Sequence, residues 1–459
     1  MNPEDLKLIG LALAAIAVLV LLVTWLKLNA FVSLVIASLI VGGGAVLLGR
    51  TLGGSPYTML GVTKSIQEGV GATLGGIAAV LGLGTMLGKL LAESGGAEVL
   101  AKRFAAFFGP KHIQWCIFAL ALAVGLTTWF AVGLILLLPI LLTLTRETKQ
   151  PFLILMLPLI SCLSVMHGLM PPHPGPVVAV DTLKANMGLV LIWGFIVGIP
   201  TAMVAGPLYA RWAVTRVEAN PPAVAAPEAG DGTLRRPAFG LTLFSILLPV
   251  LLMLLATVGE LTLPKGHPVR DAANFIGNPT MALMISVIFC LWSLGVRCGY
   301  TRARLLKFTE TSVAAVGMTI LVVGGGGGFA RVLRDGGVAD AIGRVGESFH
   351  LSPLFYGWLI SAFIRVATGS ATVAITTASG LLVPVLALHP ELSQTHVALI
   401  IVAIGCGSLF LSHLNDAGFW IVKECLGLTV AQTFKTWTIC ETIVGLVGLA
   451  FAAVCYQLV

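Results

Sequence analysis

The sequence predicts an all-α polytopic membrane protein made of two related halves. Of its 459 residues, 57% are hydrophobic and only 10% are charged, whereas soluble domains carry about 25% charged residues. The polar gaps between apolar runs are short, which favours one membrane bundle over several soluble domains. Two interruptions inside apolar runs and one motif that occurs in each half indicate an internal repeat.

The first predicted repeat covers residues 1–212 and begins with three apolar runs. These runs, each expected to be a span, are 8–24, 29–48 and 73–92. The first run lacks a basic leader and a small-residue cleavage site, so it is expected to be retained as a span. An amphipathic stretch with Lys102 and Arg103 follows the third run.

A helical hairpin is predicted at about 113–145, and a broken helix at about 151–186. The run 113–145 exceeds the length of one span and has Thr127 and Thr128 near its centre. This pattern suits a hairpin that enters and leaves the membrane on the same side. The second run is interrupted by four prolines, which a helix interior does not tolerate. They are Pro171, Pro172, Pro174 and Pro176.

Residues 213–238 are predicted to be a cytoplasmic linker, because they combine Pro, Ala and charge without an apolar period. The second predicted repeat, 239–459, runs through the same order of elements. Its apolar spans are 239–258, 280–296, 313–330 and 434–458. Its hairpin is expected at about 353–388 and its broken helix at about 395–426, where polar residues separate two apolar flanks.

The charge distribution predicts that the two repeats are inverted. The segment 89–103, KLLAESGGAEVLAKR, matches 331–345, RVLRDGGVADAIGRV. If the linker lies in the cytoplasm, most of the 27 Lys and Arg residues fall on the inner side. Both termini then lie outside, and the two halves run in opposite directions through the membrane.

The hairpin tips are candidate binding elements. Small hydroxyl residues and glycine allow the backbone to turn, and helix N-termini there attract carboxylates and other anions. Close helix packing by small residues is the alternative interpretation. The candidate substrate-binding residues at the tips are Thr127, Thr128, Thr368, Gly369, Ser370 and Thr372.

Arg365 is the arginine placed deepest in an apolar run. A charge there costs roughly 2.5 kcal/mol or more unless it is paired or hydrated. Binding the carboxylate of a substrate would stabilise it. A permanent ion pair with Asp416 or Glu441 is the alternative.

Five ionisable residues near the breaks are candidates for proton coupling, because intramembrane histidines and acids often relay protons. They are His167, His173, His413, Asp416 and Glu441. A hydrogen-bonded structural role is the alternative for each histidine. No CxxC pair or other ligand spacing predicts a metal site, and the net charge of +7 is accounted for by the loops without a nucleic-acid partner.

Three strings resemble the gluconate permease (GntP) family. They are MHGLMPPHPGPVVAV (166–180), IRVATGSATVAITTASGLLVPV (364–385) and SHLNDAGFWIVKECLGLTVAQTFKTWTICETIVGL (412–446). The resemblance covers nearly the whole chain. It implies proton symport of gluconate or a related sugar or hydroxy acid, with a D-serine branch. It also implies an elevator-type transporter with re-entrant hairpins, and a possible homodimer.

The resemblance implies site roles for five residues of the shared strings. They are His173, Arg365, Ser370, Asn415 and Asp416. The first hairpin departs from the family pattern, because Ala131 stands where an acidic residue is expected. Coupling must then use another group, or the substrate differs.

A secondary active transporter in the bacterial cytoplasmic (inner) membrane is therefore the leading hypothesis. It would take up a small organic anion with protons, and the proton gradient would replace any cofactor. An ion exchanger or channel of the same architecture is the alternative, while Arg365 beside polar tips favours an anionic solute. A membrane enzyme is disfavoured, because HExxH, GxSxG and nucleotide-loop motifs do not occur in the sequence.

Overall fold

The computed structural model describes residues 3–219, 235–315, 317–338, 341, 352–414 and 416–459. Six helices among these residues are long and apolar enough to cross a membrane, or eight if each of two bent pairs counts as one span. The bent pairs are Met59–Gly75 with Ala78–Glu93, and Phe130–Leu138 with Ile140–Thr148. The chain is thus a multi-pass, mostly helical membrane protein.

The helices before the linker follow one another with short connections. They are α1 (Pro3–Thr24), α2 (Ala30–Leu47), α3 (Met59–Glu93), α4 (Gly96–Phe108), α5 (Ile113–Gly125), α6 (Phe130–Thr148), α7 (Phe152–Leu169), α8 (Pro174–Thr182) and α9 (Met187–Met203). A 3₁₀ turn, Pro110–His112, precedes α5, and a π-helical turn, Val204–Leu208, joins α9 to α10 (Tyr209–Ala213).

The helices after the linker repeat much of that order. They are α11 (Phe239–Thr262), α12 (Pro268–Gly277), α13 (Pro279–Cys290), α14 (Arg302–Ala315), α15 (Gly317–Asp335), α16 (Pro353–Thr368), α17 (Ala371–Ala387), α18 (Gln394–Leu409), α19 (Ala417–Cys425), α20 (Val430–Thr433) and α21 (Ile439–Leu458). The turns Leu291–Gly295 (π) and Val296–Cys298 (3₁₀) extend α13, and the π-helical turn Phe434–Thr438 joins α20 to α21.

Several elements differ from the sequence-based expectation. Helix α3 begins at Met59, before the predicted run 73–92, and α14 begins at Arg302, before the predicted span 313–330. A two-stranded antiparallel hairpin, β1 (Thr51–Leu52) with β2 (Ser55–Pro56), interrupts the all-α pattern. Its turn residues Gly53 and Gly54 both have positive φ, which the tight turns of such hairpins require. The short helix α12 also has no predicted counterpart, because it is amphipathic and not a long apolar run.

The two interrupted apolar segments lie at the centre of the molecule. The span Phe152–Thr182 contains α7 and α8. In an 18-residue apolar stretch of this span 89% of the residues are buried, against 39% to 50% in such stretches of the other spans. Helices α7 and α18 cross at Gly168 and Gly405, where a β-carbon on Gly405 would lie 2.6 Å from the Gly168 carbonyl oxygen. Glycine is therefore needed for the backbones to approach this closely.

Local chemistry explains where both central helices stop. Helix α7 ends at Leu169, just before Pro171 and Pro172, and His173 provides the extended residue that precedes α8. Helix α18 ends at Leu409, and the Asp416 side chain caps α19 by accepting a hydrogen bond from Gly418 N. Both breaks thus end in a helix N-terminus, which is buried at Pro174 of α8 and exposed at Ala417 of α19.

The motif shared by 89–103 and 331–345 has the same backbone conformation at one position in both halves. Gly95 has φ +71° and Gly337 has φ +78°, a region that glycine enters without strain. The five glycines 324–328 lie within α15, and Gly69 of α3 packs against them. A β-carbon on Gly69 would lie only 2.5 Å from Gly327 O. This geometry agrees with close helix packing and not with a phosphate-binding loop.

Candidate functional site

The first hairpin consists of α5 and α6, and the second of α16 and α17. The first break lies between α7 and α8, and the second between α18 and α19. Together they surround one cavity of about 280 Å³. In the described part of the chain, four helices have their first residue on its wall: Phe130 of α6, Pro174 of α8, Ala371 of α17 and Ala417 of α19. A helix N-terminus carries partial positive charge and N–H groups without intrahelical acceptors. The convergence of these ends makes the cavity suited to an anion.

The cavity wall mixes aromatic, hydroxyl and charged side chains. Its lining residues are Trp129, Phe130, Ala131, Ser164, His167, Pro174, Arg365, Gly369, Ser370, Ala371, Thr372, Leu409, Asp416, Ala417, Gly418, Ile421, Trp437 and Glu441. Of the substrate-binding candidates from the sequence, this set includes Arg365, Gly369, Ser370 and Thr372.

The tip of the first hairpin faces the cavity through Trp129, Phe130 and Ala131. The neighbouring candidates Thr127 and Thr128 are buried outside it, and both hydroxyl groups donate to Val124 O of their own helix, at 3.5 and 2.8 Å. These hydroxyl groups therefore form hydrogen bonds at the C-terminal end of α5 and do not face the cavity. Because residue 131 is alanine, the first hairpin presents no acid to the cavity at that position.

The tip of the second hairpin contributes its backbone turn and one cap. Gly369 has φ +72° and ends α16, and the Ser370 hydroxyl accepts a hydrogen bond from Val373 N at 3.3 Å. Thr372 also faces the cavity. Thr368, in contrast, is buried and its hydroxyl donates to Ile364 O at 2.8 Å, outside the cavity wall.

Arg365 and Asp416 form a buried ion pair between the second hairpin and the second break. The Arg365 Nη2 group donates to Asp416 Oδ2, and Nη1 donates to Gly369 O at 2.7 Å. Arg365 is only 4% exposed, and its Nε has no hydrogen-bond partner among the described residues. Of the two partners considered from the sequence, Asp416 is the one observed.

Polar groups from the second break and from the π-helical turn before α21 support this pair. Asp416 Oδ2 also accepts a hydrogen bond from the Ser412 hydroxyl. Trp437 Nε1 in turn donates to Ser412 Oγ at 2.6 Å, and the Thr438 hydroxyl donates to Ser412 O at 2.6 Å. Sequence reasoning missed Ser412 and Trp437, although both lie in one of the strings that resemble the permease family.

The two histidines of the first break differ in their surroundings. His173 is 2% exposed, and its Nε2 lies 2.7 Å from Gly125 O, so it fastens the break to the first hairpin. His167 faces the cavity and makes an edge contact with the His173 ring, with centroids 5.3 Å apart. His167 Nδ1 has no partner among the described residues.

One candidate of the second break, His413, is not among the described residues that line the cavity. His413 is half-buried, and its Nε2 lies 3.0 Å from Val366 O of the second hairpin. Asn415 lies outside the described residues. The carboxylate of Asp416 is therefore the ionisable group that this break presents to the cavity.

Glu441 of α21 completes the set of charged groups. Its side chain is fully buried on the cavity wall, and neither carboxylate oxygen has a hydrogen-bond partner among the described residues. The Ser164 hydroxyl lies near it without reaching hydrogen-bond geometry. Ser164, which the sequence reading overlooked, lies one helical turn before His167 in α7.

Comparisons with known proteins identify the family of this chain. The sequence model of the family described as GntP family permease matches residues 6–459. The chain is 42% identical over 452 residues to the gluconate permease of Zymomonas mobilis, covering 98% of each chain. It is 38% identical over 436 residues to the Gnt-II system L-idonate transporter of Escherichia coli, covering 95% of this chain and 96% of that protein.

A solved structure supports the fold. MtrF of Neisseria gonorrhoeae aligns over 95% of this chain and 96% of its own with a TM-score of 0.61 at 12% sequence identity. At that identity the likeness concerns the fold alone. The family match over nearly the full length and the relatives near 40% identity settle the class, and the chain belongs to the GntP family of permeases, which are membrane transporters and not enzymes.

Proposed function

We propose that this permease imports gluconate or a closely related sugar acid together with protons across the bacterial inner membrane. The Zymomonas mobilis relative is a gluconate permease, and the Escherichia coli relative is an L-idonate transporter. Both solutes are six-carbon acids that carry one carboxylate and several hydroxyl groups. The same chemistry is proposed for this substrate.

One observation carries the proposal, namely the convergence of four helix N-termini and Arg365 on one cavity. The partial charges of these helix ends and the guanidinium favour a carboxylate. The unpartnered Arg365 Nε is a donor that a carboxylate oxygen would satisfy. A bare cation would find the same groups repulsive, which disfavours a cation exchanger.

The remaining wall suits the hydroxyl groups of a sugar acid. Ser164, Ser370 and Thr372 offer hydroxyl groups, and Glu441 offers carboxyl oxygens. Trp129 and Trp437 supply flat apolar surface on the same cavity. A volume of about 280 Å³ is near the lower end of ligand pockets, which begin at about 300 Å³, so a small solute is favoured.

We also propose that residues 1–212 and 239–459 are inverted-topology repeats that work as an elevator-type transporter. The repeat is supported by the similar order of helices before and after the linker. It is also supported by Gly95 and Gly337, which both adopt positive φ at matching positions of the shared motif. The charge distribution supports placing the 213–238 linker in the cytoplasm and both termini outside. A homodimer is part of the same proposal, and it rests on the family resemblance.

The proposal is tested by uptake of labelled gluconate into proteoliposomes, with and without an inward proton gradient. Gradient-dependent accumulation is expected, with L-idonate competing strongly. Strong competition by D-serine and none by sugar acids would instead favour the amino-acid branch. Absence of gradient-dependent uptake of any of these solutes would refute proton symport.

Arg365→Ala is expected to weaken gluconate binding by about 30-fold or more, because truncating a buried charge that holds a carboxylate costs about 2–5 kcal/mol. Binding is measured by isothermal titration on purified protein whose folding is checked by size-exclusion chromatography. Arg103→Ala, at an exposed position of α4, is the matched control and should bind normally. Unchanged affinity in Arg365→Ala would remove this residue from the site.

A further inference from the structure

A fully buried carboxyl group on the cavity wall lacks the partners that such a group requires. Both Glu441 oxygens are without hydrogen-bond partners among the described residues, and the side chain is 0% exposed. Burying an unpaired carboxylate is costly, whereas the protonated acid is neutral and costs far less. These surroundings are typical of a carboxyl group that is protonated during part of a transport cycle.

The other ionisable groups around Glu441 divide into paired and unpaired ones. On α16 and at the second break, Arg365 and Asp416 neutralise each other through their ion pair. On α7, His167 faces the same cavity, and Cys440 precedes Glu441 on its own helix. With Glu441 ionised, the cavity therefore carries a net negative charge when His167 is neutral.

That charge balance opposes an anionic substrate. A carboxylate that enters beside an ionised Glu441 brings a second uncompensated negative charge into a buried space. If a proton neutralises Glu441 first, the Arg365–Asp416 pair and the four helix N-termini determine the field, and the anion is attracted. Protonation and substrate binding then favour each other, and by linkage the effect is reciprocal.

We propose that Glu441 is the proton-binding group of the transporter and that its protonation is what permits the anionic substrate to bind. The inference rests on the proposed function, because it identifies the coupling site within that same cavity. Asp416 is less suited to the role, since its carboxylate is satisfied by Arg365, the Ser412 hydroxyl and Gly418 N. Among the described residues, no such partner holds Glu441.

The test compares wild type with Glu441→Gln, which retains the shape of the protonated acid and cannot release a proton. Gluconate affinity of the wild type is expected to fall about tenfold per pH unit on the alkaline side, as one linked proton requires. In Glu441→Gln the affinity should be nearly independent of pH. Counterflow exchange of labelled gluconate should continue, while accumulation driven by a proton gradient is lost.

Glu391→Gln is the matched control, because Glu391 is an exposed carboxylate in the turn after α17. It should behave like wild type in all three measurements. Accumulation by Glu441→Gln at the wild-type level, or an unchanged pH dependence of its affinity, would overturn the inference. Loss of pH dependence in His167→Gln but not in Glu441→Gln would overturn it as well.

Two further measurements keep the inference testable if Glu441→Gln does not fold. Glu441→Asp retains an acid at a changed position, so its pH profile of gluconate affinity should shift from that of wild type, and coincident profiles would overturn the inference. Wild-type protein in weakly buffered solution should take up about one proton per bound gluconate on the alkaline side. Binding without proton uptake would also overturn it.

The outcomes separate this inference from the function on which it rests. If wild-type protein shows neither counterflow nor uptake of gluconate, the proposed function fails. If wild-type protein accumulates gluconate with a proton gradient and Glu441→Gln does so equally, the function stands and only the coupling site is wrong.

Discussion

The two breaks face one cavity but contribute different chemistry to it. The first break is built from prolines and buried histidines, and its His173 ring fastens it to the first hairpin. The second break places the Asp416 carboxylate against Arg365 of the second hairpin. Both breaks end in a helix N-terminus at the cavity. The first half therefore supplies a rigid polar frame, and the second half supplies the charges.

The comparison predicts that removing a charge from the second break lowers the stability of the protein more than removing a hydrogen bond from the first break. Asp416→Asn keeps the shape of the side chain but leaves Arg365 buried without a counter-charge. Such removal of one partner costs about 3–5 kcal/mol of stability. Denaturant unfolding in detergent measures the loss.

The double variant Arg365→Gln/Asp416→Asn removes both charges and is expected to be more stable than Asp416→Asn alone. If the losses of the two single variants simply add in the double variant, the pair is not the element that holds the second break in place.

Gly405→Ala tests the crossing that joins the two halves. The added methyl group would lie 2.6 Å from Gly168 O, so α7 and α18 must move apart. Overpacking of this kind costs typically 1–3 kcal/mol, and a lower unfolding temperature is expected. Gly75→Ala is the control, because nothing lies within 4 Å of a β-carbon at that position. Equal unfolding temperatures for the two variants would contradict a close crossing.

His173→Ala addresses the first break and should have the smallest effect. It removes the bond to Gly125 O, which leaves a buried carbonyl group unsatisfied and costs about 1–3 kcal/mol of stability. Gluconate affinity should fall by up to about tenfold through the loosened hairpin, while its dependence on pH is retained. His389→Ala, in the half-exposed turn after α17, serves as the control. Loss of pH dependence in His173→Ala would assign this histidine a role in coupling.

Sequence patterns located the breaks because proline and intramembrane charge are incompatible with an uninterrupted apolar helix. They could not decide the partner of Arg365, since Asp416 and Glu441 were both compatible with the spacing. The structure pairs it with Asp416, and within the described ranges the Glu441 carboxyl group has no hydrogen-bond partner. Which acid is paired depends on how two distant helices meet, and such information is absent from local composition.

The hairpin tips show the same limit at a finer scale. A Gly and Ser/Thr composition predicted a turn near 127 and another near 369, and turns occur there. The composition did not reveal that Thr128 and Thr368 would turn their hydroxyl groups back to Val124 O and Ile364 O. The orientation of a side chain relative to its own helix decides between the cavity and the core.

The glycine run of α15 has a consequence for how this helix gains its stability. Each glycine favours a helix less than alanine does by about 1 kcal/mol, so the five consecutive glycines 324–328 make a weak helix on its own. Its neighbours come from both halves, because Gly69 of α3 packs against Gly327 and Thr376 of α17 packs against Gly326. Helix α15 therefore depends for its stability on packing against segments that are synthesised before it and after it.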